Sequence, residues 1–126
     1  MKLSSLVKLL AGKLPPSEFS AEIAGELSAH TRGLQTLGGS APVVVAEDID
    51  VVLDRLGLGT LCRLFASGQL SEAELAYAAD ALQLSGRVEF ADLSVADDLA
   101  ECTDPAINGP LTVARALEIA GNGAAA

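Results

Sequence analysis

Apolar residues recur along this chain at the three- and four-residue spacing of amphipathic helices. Leu3, Leu6, Val7, Leu10 and Leu14 form the first such face, with the lysines mostly on the other side. Gly12 and the Pro15-Pro16 pair end it. Phe19, Ile23, Leu27, His30 and Leu34 form a second stripe, beside an acidic stripe of Glu18, Glu22 and Glu26. Pro16 suits a first helical position, and Leu14 and Phe19 stand where a hydrophobic staple clasps a helix start. Leu37 to Pro42 is rich in glycine, serine and proline and reads as a loop. Val43-Val44-Val45 has no evident partner strand, so it is expected as an extended lead-in to a helix. Ile49, Val52, Leu53 and Leu56 predict that helix, broken or bent at Gly57 and Gly59 and resumed by Leu61, Leu64 and Phe65 as far as Gly68.

Ser71-Glu72-Ala73-Glu74 is the strongest local signal. Ser71 can cap the N–H of Glu74 while Glu74 reaches back to the N–H of Ser71, and Leu70 and Leu75 are placed for the staple. Leu75, Ala78, Ala79 and Leu82 carry the buried face to about Leu84. Arg87-Val88-Glu89-Phe90 alternates and is expected to be extended, with Val88 and Phe90 inward. Ser94 is expected to open a helix with Val95, Leu99 and Cys102 inside, ended by Asp104-Pro105. Thr112 opens the last helix, with Val113, Ala116, Leu117 and Ala120 inward. The expected fold is all-α, a compact single-domain bundle of about six helices over residues 1–121, with no stable sheet and a disordered tail at 122–126. Gly12-Lys13-Leu14 with Glu18-Phe19-Ser20 matches Gly68-Gln69-Leu70 with Glu74-Leu75-Ala76 at identical spacing. Convergence on the same helix–turn–helix chemistry is the favoured explanation, with duplication the alternative.

Composition sharpens this picture. The chain of 126 residues holds 22 alanines and 21 leucines but only four aromatic residues, which favours helices over sheets. No apolar run is long enough for a membrane span. Seventeen acidic residues face eight basic ones, for a net charge of −9. Such a surface repels phosphates, so direct nucleic-acid binding is not expected, whereas a basic protein partner suits it. The lysines Lys2, Lys8 and Lys13 all fall in the first 13 residues; Lys8 interrupts the apolar stretch there, so this segment is read as the first helix of the fold rather than as a signal peptide. A cytoplasmic setting follows from that reading, and with it two reduced, buried structural cysteines, Cys62 and Cys102.

Catalytic constellations are sparse. His30 is the single histidine, and no aspartate or serine stands at a triad spacing from it. Cys102 lacks an adjacent base and Cys62 has only Arg63 beside it. The cysteine and histidine spacing matches no zinc site, and Asp97-Asp98 with Glu101 does not match a calcium loop. Gly38-Gly39 lacks the lysine of a phosphate cradle. The expectation is a protein without catalysis, metal or cofactor.

Acid clustering is more informative. Glu47, Asp48, Asp50 and Asp54 crowd one expected helix start, and Glu89, Asp92, Asp97, Asp98, Glu101 and Asp104 crowd a second segment. Acids at helix N-termini favour the helix dipole, which accounts for Glu47, Asp48 and Asp97. It does not account for Asp54, Glu101 or Asp104, expected late in their helices. The expected partner-binding face is therefore Asp97, Asp98, Glu101 and Asp104, with Glu47, Asp50 and Asp54 as the alternative. Neutralising Asp98, Glu101 and Asp104 together is expected to slow association with a basic partner and to leave stability nearly unchanged.

The opening segment, Leu6-Val7-Lys8-Leu9-Leu10-Ala11-Gly12-Lys13-Leu14 followed by Glu18-Phe19-Ser20 and Ile23, resembles the start of colicin D-type immunity proteins and related bacterial self-protection proteins. The resemblance spans roughly the first 30 residues together with the general acidity. It implies a small, acidic, helical cytoplasmic inhibitor that presents carboxylates to the basic substrate site of a toxin, a nuclease that cleaves tRNA. Two other readings come from the residues alone. One is a helical adaptor domain that docks through the leucine face of its N-terminal helix. The other is a phage-type antagonist that mimics nucleic acid.

Overall fold

The computed structural model describes residues 1–35, 43–103 and 109–121. Helix α1 (Leu3–Leu10) and the long α2 (Pro16–Gln35) form a first hairpin. Strand β1 (Val51–Leu53) leads into α3 (Arg55–Ala66), which turns into α4 (Glu72–Leu84). Strand β2 (Val88–Phe90), α5 (Leu93–Glu101) and α6 (Val113–Gly121) complete the described chain. The fold is predominantly helical, with six helices among the described residues. The predicted loop Leu37 to Pro42, the Asp104-Pro105 helix stop and the tail at 122–126 lie outside the described residues.

The two hairpins close in the same way. Gly12 and Gly68 adopt φ of 74° and 80°, a left-handed conformation that glycine takes without a Cβ penalty. In the first turn the N–H groups of Lys13 and Leu14 both donate to the Lys8 carbonyl, at 2.8 and 3.1 Å. In the second, those of Gln69 and Leu70 both donate to the Leu64 carbonyl, at 2.9 and 3.1 Å. The likeness extends beyond the turns. Lys2 forms a parallel bridge with Ala46, and β1 pairs in parallel with β2 in the register Val51↔Val88, Val52↔Glu89, Leu53↔Phe90. Each unit thus runs from an extended start through two helices and returns beside its own beginning.

The capping box at α4 forms as its sequence dictates. The Ser71 N–H donates to Glu74 Oε1 at 2.8 Å, and the Glu74 N–H donates to Ser71 Oγ at 3.1 Å. Leu70 and Leu75 are each 1% exposed, so the staple seals the same helix start. Ser71→Ala removes one of the two bonds and is expected to cost about 1 kcal/mol in chemical denaturation. A change within experimental error of zero would mean that water replaces the cap without loss.

Several expectations are corrected. The helical face assigned to Ile49, Val52, Leu53 and Leu56 is instead a strand followed by a new helix. Val51 and Leu53 point inward, while Val52 and Leu56 are exposed. The expectation of no sheet gives way to this two-stranded one, whose partner lies 37 residues along the chain. Asp54 is not late in a helix: it is the N-cap of α3, accepting from the Gly57 N–H at 2.8 Å. Gly57 and Gly59 do not break α3 but lie inside it. A Cβ on Gly59 would stand 3.4 Å from the Ala120 carbonyl oxygen, because α6 packs directly on α3 there. Ala120 thus faces the core as expected. Ala116 and Ile119 are buried, whereas Val113 and Leu117, expected inward, are about half exposed. Helix α5 starts one residue before Ser94, with Asp92 as its cap.

The leucine face of α1 lies in the core: Leu3, Leu6 and Leu9 are all buried. The first residues are held from several sides. The Met1 amino group pairs with Glu26 and donates to the Val44 carbonyl at 2.7 Å. Asp48 accepts from the Ser4 N–H at 3.0 Å and from its hydroxyl, capping the first turn of α1 from a distant segment. Glu26 and Asp48 therefore serve the fold. The Tyr77 side chain, buried within α4, accepts from the Val44 N–H at 2.9 Å and holds the segment before β1 against the helices.

Candidate partner-binding face

Because β1 and β2 are parallel, the helices that follow them start at the same end of the sheet. Asp54 caps α3 there, and Asp92 caps α5 by accepting from the Val95 N–H at 3.0 Å. The Ser94 hydroxyl, with that backbone bond, holds the Asp92 carboxyl below the usual carboxylate range. Arg55, the first residue of α3, joins the two helices. It donates to the Ser94 hydroxyl at 2.9 Å and to the Asp98 carboxylate at 2.6 Å.

Asp98 is the hub of a larger ion network. Its side chain is 16% exposed and also faces Arg115 of α6 at 3.7 Å. Arg115 grips both oxygens of Glu101, at 2.9 and 2.7 Å, and reaches Glu118 at 3.1 Å. That hydrogen bonding holds the Glu101 carboxyl below its ordinary value and raises the Arg115 guanidinium. Bidentate guanidinium–carboxylate pairs orient both partners. Asp98 and Glu101 thus fix α5 against α3 and α6. Asp97 is exposed on the same helix and makes no ion pair among the described residues. Asp104 lies outside the described residues.

The alternative acids divide between the two ends of the sheet. Asp54 belongs with α5, next to Arg55. Asp50 lies at the opposite end and accepts from Arg87 at 2.8 Å, which holds its carboxyl below the usual range. Arg87 also donates to the Glu47 main-chain carbonyl, and Glu47 accepts from the Gly86 N–H at 3.3 Å. The fold brings Asp54, Asp92 and Asp98 together around Arg55, with Asp97 beside Asp98 on α5, and sets Glu47 and Asp50 at the other end of the sheet. In the sequence Asp92 stands within an acid run; its position before an apolar helical pattern is the capping signal that marks it.

The two helix starts carry exposed apolar side chains, Leu56 and Leu93, and the middle of β1 carries a third, Val52. Val52, Leu56 and Leu93 are 65%, 72% and 77% exposed. Val52 faces outward on β1 opposite Glu89, Leu56 follows Arg55, and Leu93 precedes Ser94. The arrangement is apolar side chains bordered by carboxylates on two anchored helix starts.

His30 is half-buried in a T-shaped contact with Tyr77, the ring centroids 5.2 Å apart. Burial pushes the Tyr77 phenol above its ordinary value. Among the described residues, no group of three or more His, Cys, Asp or Glu side chains is placed to hold a metal ion, and no helix is long and apolar enough to cross a membrane. The chain matches no protein-family profile, no curated protein and no solved structure.

Proposed function

We propose that the protein is a non-catalytic, immunity-type inhibitor that binds and neutralises a basic toxin of the nuclease class. The observation that carries this reading is the anchored acidic face at the C-terminal end of the sheet. Asp54 and Asp92 cap the two helix starts there, exposed Leu56 and Leu93 belong to the first turns of those helices, and exposed Asp97 follows one turn along α5. Arg55 and Arg115, the nearest cations, are already engaged by Asp98 and Glu101. A net charge of −9 attracts a basic partner over a distance. Carboxylates fixed on helix starts can occupy a site built for phosphates, and apolar side chains beside them supply contact area once water is displaced. The geometry moves the favoured contact residues from Glu101 towards Asp97, because the Glu101 oxygens are both held by Arg115.

The test begins with capture of the protein encoded beside this chain, followed by association rates at low and high salt. Asp97→Asn with Glu89→Gln, two exposed carboxylates without an ion pair among the described residues, is expected to slow association by about tenfold at low salt and to flatten its salt dependence. Dissociation is expected to change less. Capture whose rate ignores both salt and these substitutions, yet is lost in Leu56→Ser with Leu93→Ser, would replace this reading with an apolar adaptor. On the α1 face Leu3 and Leu6 are buried, Leu10 and Leu14 half-buried and Val7 exposed, which leaves an adaptor through that helix less apolar surface than Leu56 and Leu93 offer.

A further inference from the structure

We propose that Cys62 and Cys102 form a modification site, a buried dithiol that hydrogen peroxide oxidises to an intramolecular disulfide tying the end of α5 to α3. The two residues are 40 positions apart in the chain, yet their sulfurs lie 4.0 Å from each other. Cys62 sits within α3 and Cys102 is the C-cap of α5. Both are free thiols, exposed by 0% and 2%. A disulfide requires the sulfurs to approach to about 2.05 Å, a closure of the size that χ1 rotation of side chains already in contact supplies.

The surroundings give the two thiols different roles. The hydrogen bond shared with Cys102, helped by Arg63 and Arg55, holds Cys62 below the usual thiol range. The same bond and burial push Cys102 up, with Glu101 and Asp98 adding to the effect. The Cys102 thiol also donates to the Asp98 carbonyl at 3.6 Å, which holds its proton, whereas Cys62 is followed by Arg63; this assigns Cys62 the attacking role and Cys102 the resolving one. The Cys62 sulfur attacks one peroxide oxygen and the O–O bond breaks. Cys62 becomes a sulfenic acid, and the departing hydroxide takes up the proton Cys62 released, leaving as water. The Cys102 sulfur then attacks the Cys62 sulfur. The S–O bond breaks, the disulfide forms, and the hydroxyl leaves with the Cys102 proton as a second water. Two thiols lose two electrons in total, and one peroxide is reduced to two waters.

Burial selects the oxidant. Peroxide is little larger than water, whereas a glutathione disulfide must bring a tripeptide against a sulfur that has no exposed surface. Cys102 closes α5, so the pair lies at a helix end. The last turn there is held by single-turn bonds, from Cys102 N–H to the Leu99 carbonyl at 2.9 Å and from Thr103 N–H to the Ala100 carbonyl at 3.3 Å. Oxidation would fasten this end to α3, and with it the helix that carries Asp97.

The experiment treats the folded protein with hydrogen peroxide, quenches it, and alkylates it under denaturing conditions. The expected product has lost the mass of two hydrogens, takes up no alkylating agent, and maps to a Cys62–Cys102 link. Its Tm is expected to rise by ~10 °C over the reduced form. In Cys102→Ala, oxidation is expected to stop at a Cys62 sulfenic acid that dimedone traps; in Cys62→Ala, Cys102 is expected to remain a thiol. Two alkylatable thiols after treatment, oxygen addition without a link, a disulfide between chains, or an equal glutathione adduct from glutathione disulfide would each overturn the proposal. The native mass change requires no variant, so it decides even where a core substitution fails to fold.

Discussion

Leu75→Ala is expected to destabilise the protein by about 2–4 kcal/mol, the range for a truncated core leucine that leaves a cavity behind. Leu75 is 1% exposed and closes the start of α4, in the same turn as the Ser71–Glu74 capping box. The loss comprises the transfer energy of the removed methyl and methylene groups and the contacts their neighbours forfeit. Against a total stability of about 5–15 kcal/mol, it is a large fraction. Urea unfolding should show a lower midpoint at an unchanged slope, because the surface exposed on unfolding is nearly the same. Leu93→Ala is the matched control. Leu93 is 77% exposed, and its truncation is expected to change stability by less than about 0.5 kcal/mol. Equal losses at the two positions would mean that the assignment of core and surface is wrong.

The contrast between those leucines shows what was legible in the sequence. Helix α4 announces itself within five residues: cap, returning carboxylate and staple are all local, and the structure reproduces each. The glycine turns at Gly12 and Gly68 are local too, and repeat the same bonds. Strand β1 was not legible because its evidence is non-local. Ile49, Val52, Leu53 and Leu56 satisfy the helical spacing, and a three-residue strand is too short for its alternation to compete with that pattern. Only pairing with Val88–Phe90 makes it a strand. The phase of α6 was hidden for a similar reason. Val113, Ala116 and Leu117 fit a helical face as well as Ala116 and Ile119 do, and only the packing of α6 on distant α3 decides between them.

The candidate face was legible as composition and illegible as geometry. Acid runs stand out in the sequence, but charge density does not reveal which carboxylates are already paired. Asp98 meets Arg55 across 43 residues, and Glu101 meets Arg115 across 14. Two acids expected to be free for a partner are thereby engaged in joining α5 to its neighbours. Asp54, expected late in a helix, starts one, because the strand before it shifts the helix boundary. The same fold brings Cys62 and Cys102 into contact, which neither residue's local sequence foretells.

This engagement reverses one expectation about stability. Charge neutralisation on α5 was expected to leave folding nearly untouched, as holds for exposed carboxylates. Asp98 is not exposed in that sense: its side chain is 16% accessible and that of its partner Arg55 is 22% accessible. Removing one member strands the other in a partly desolvated position, a cost that exceeds the net value of the pair itself. Asp98→Ala is therefore expected to destabilise the protein by about 1–3 kcal/mol, between the values for exposed and for buried pairs. Asp98→Asn should lose less, since an amide oxygen still accepts from the guanidinium. Arg55→Met combined with Asp98→Ala should cost less than the sum of the single changes, and the difference measures the coupling. The destabilisation should persist at high salt, because ions screen a partly buried pair poorly. Asp97→Asn is the companion variant, on the same helix but exposed and without an ion pair among the described residues, and its stability should match that of the unaltered protein. If Asp98→Ala and Asp97→Asn both fold as stably as the parent chain, the network holds nothing together, and Asp98 returns to the set of carboxylates available to a partner.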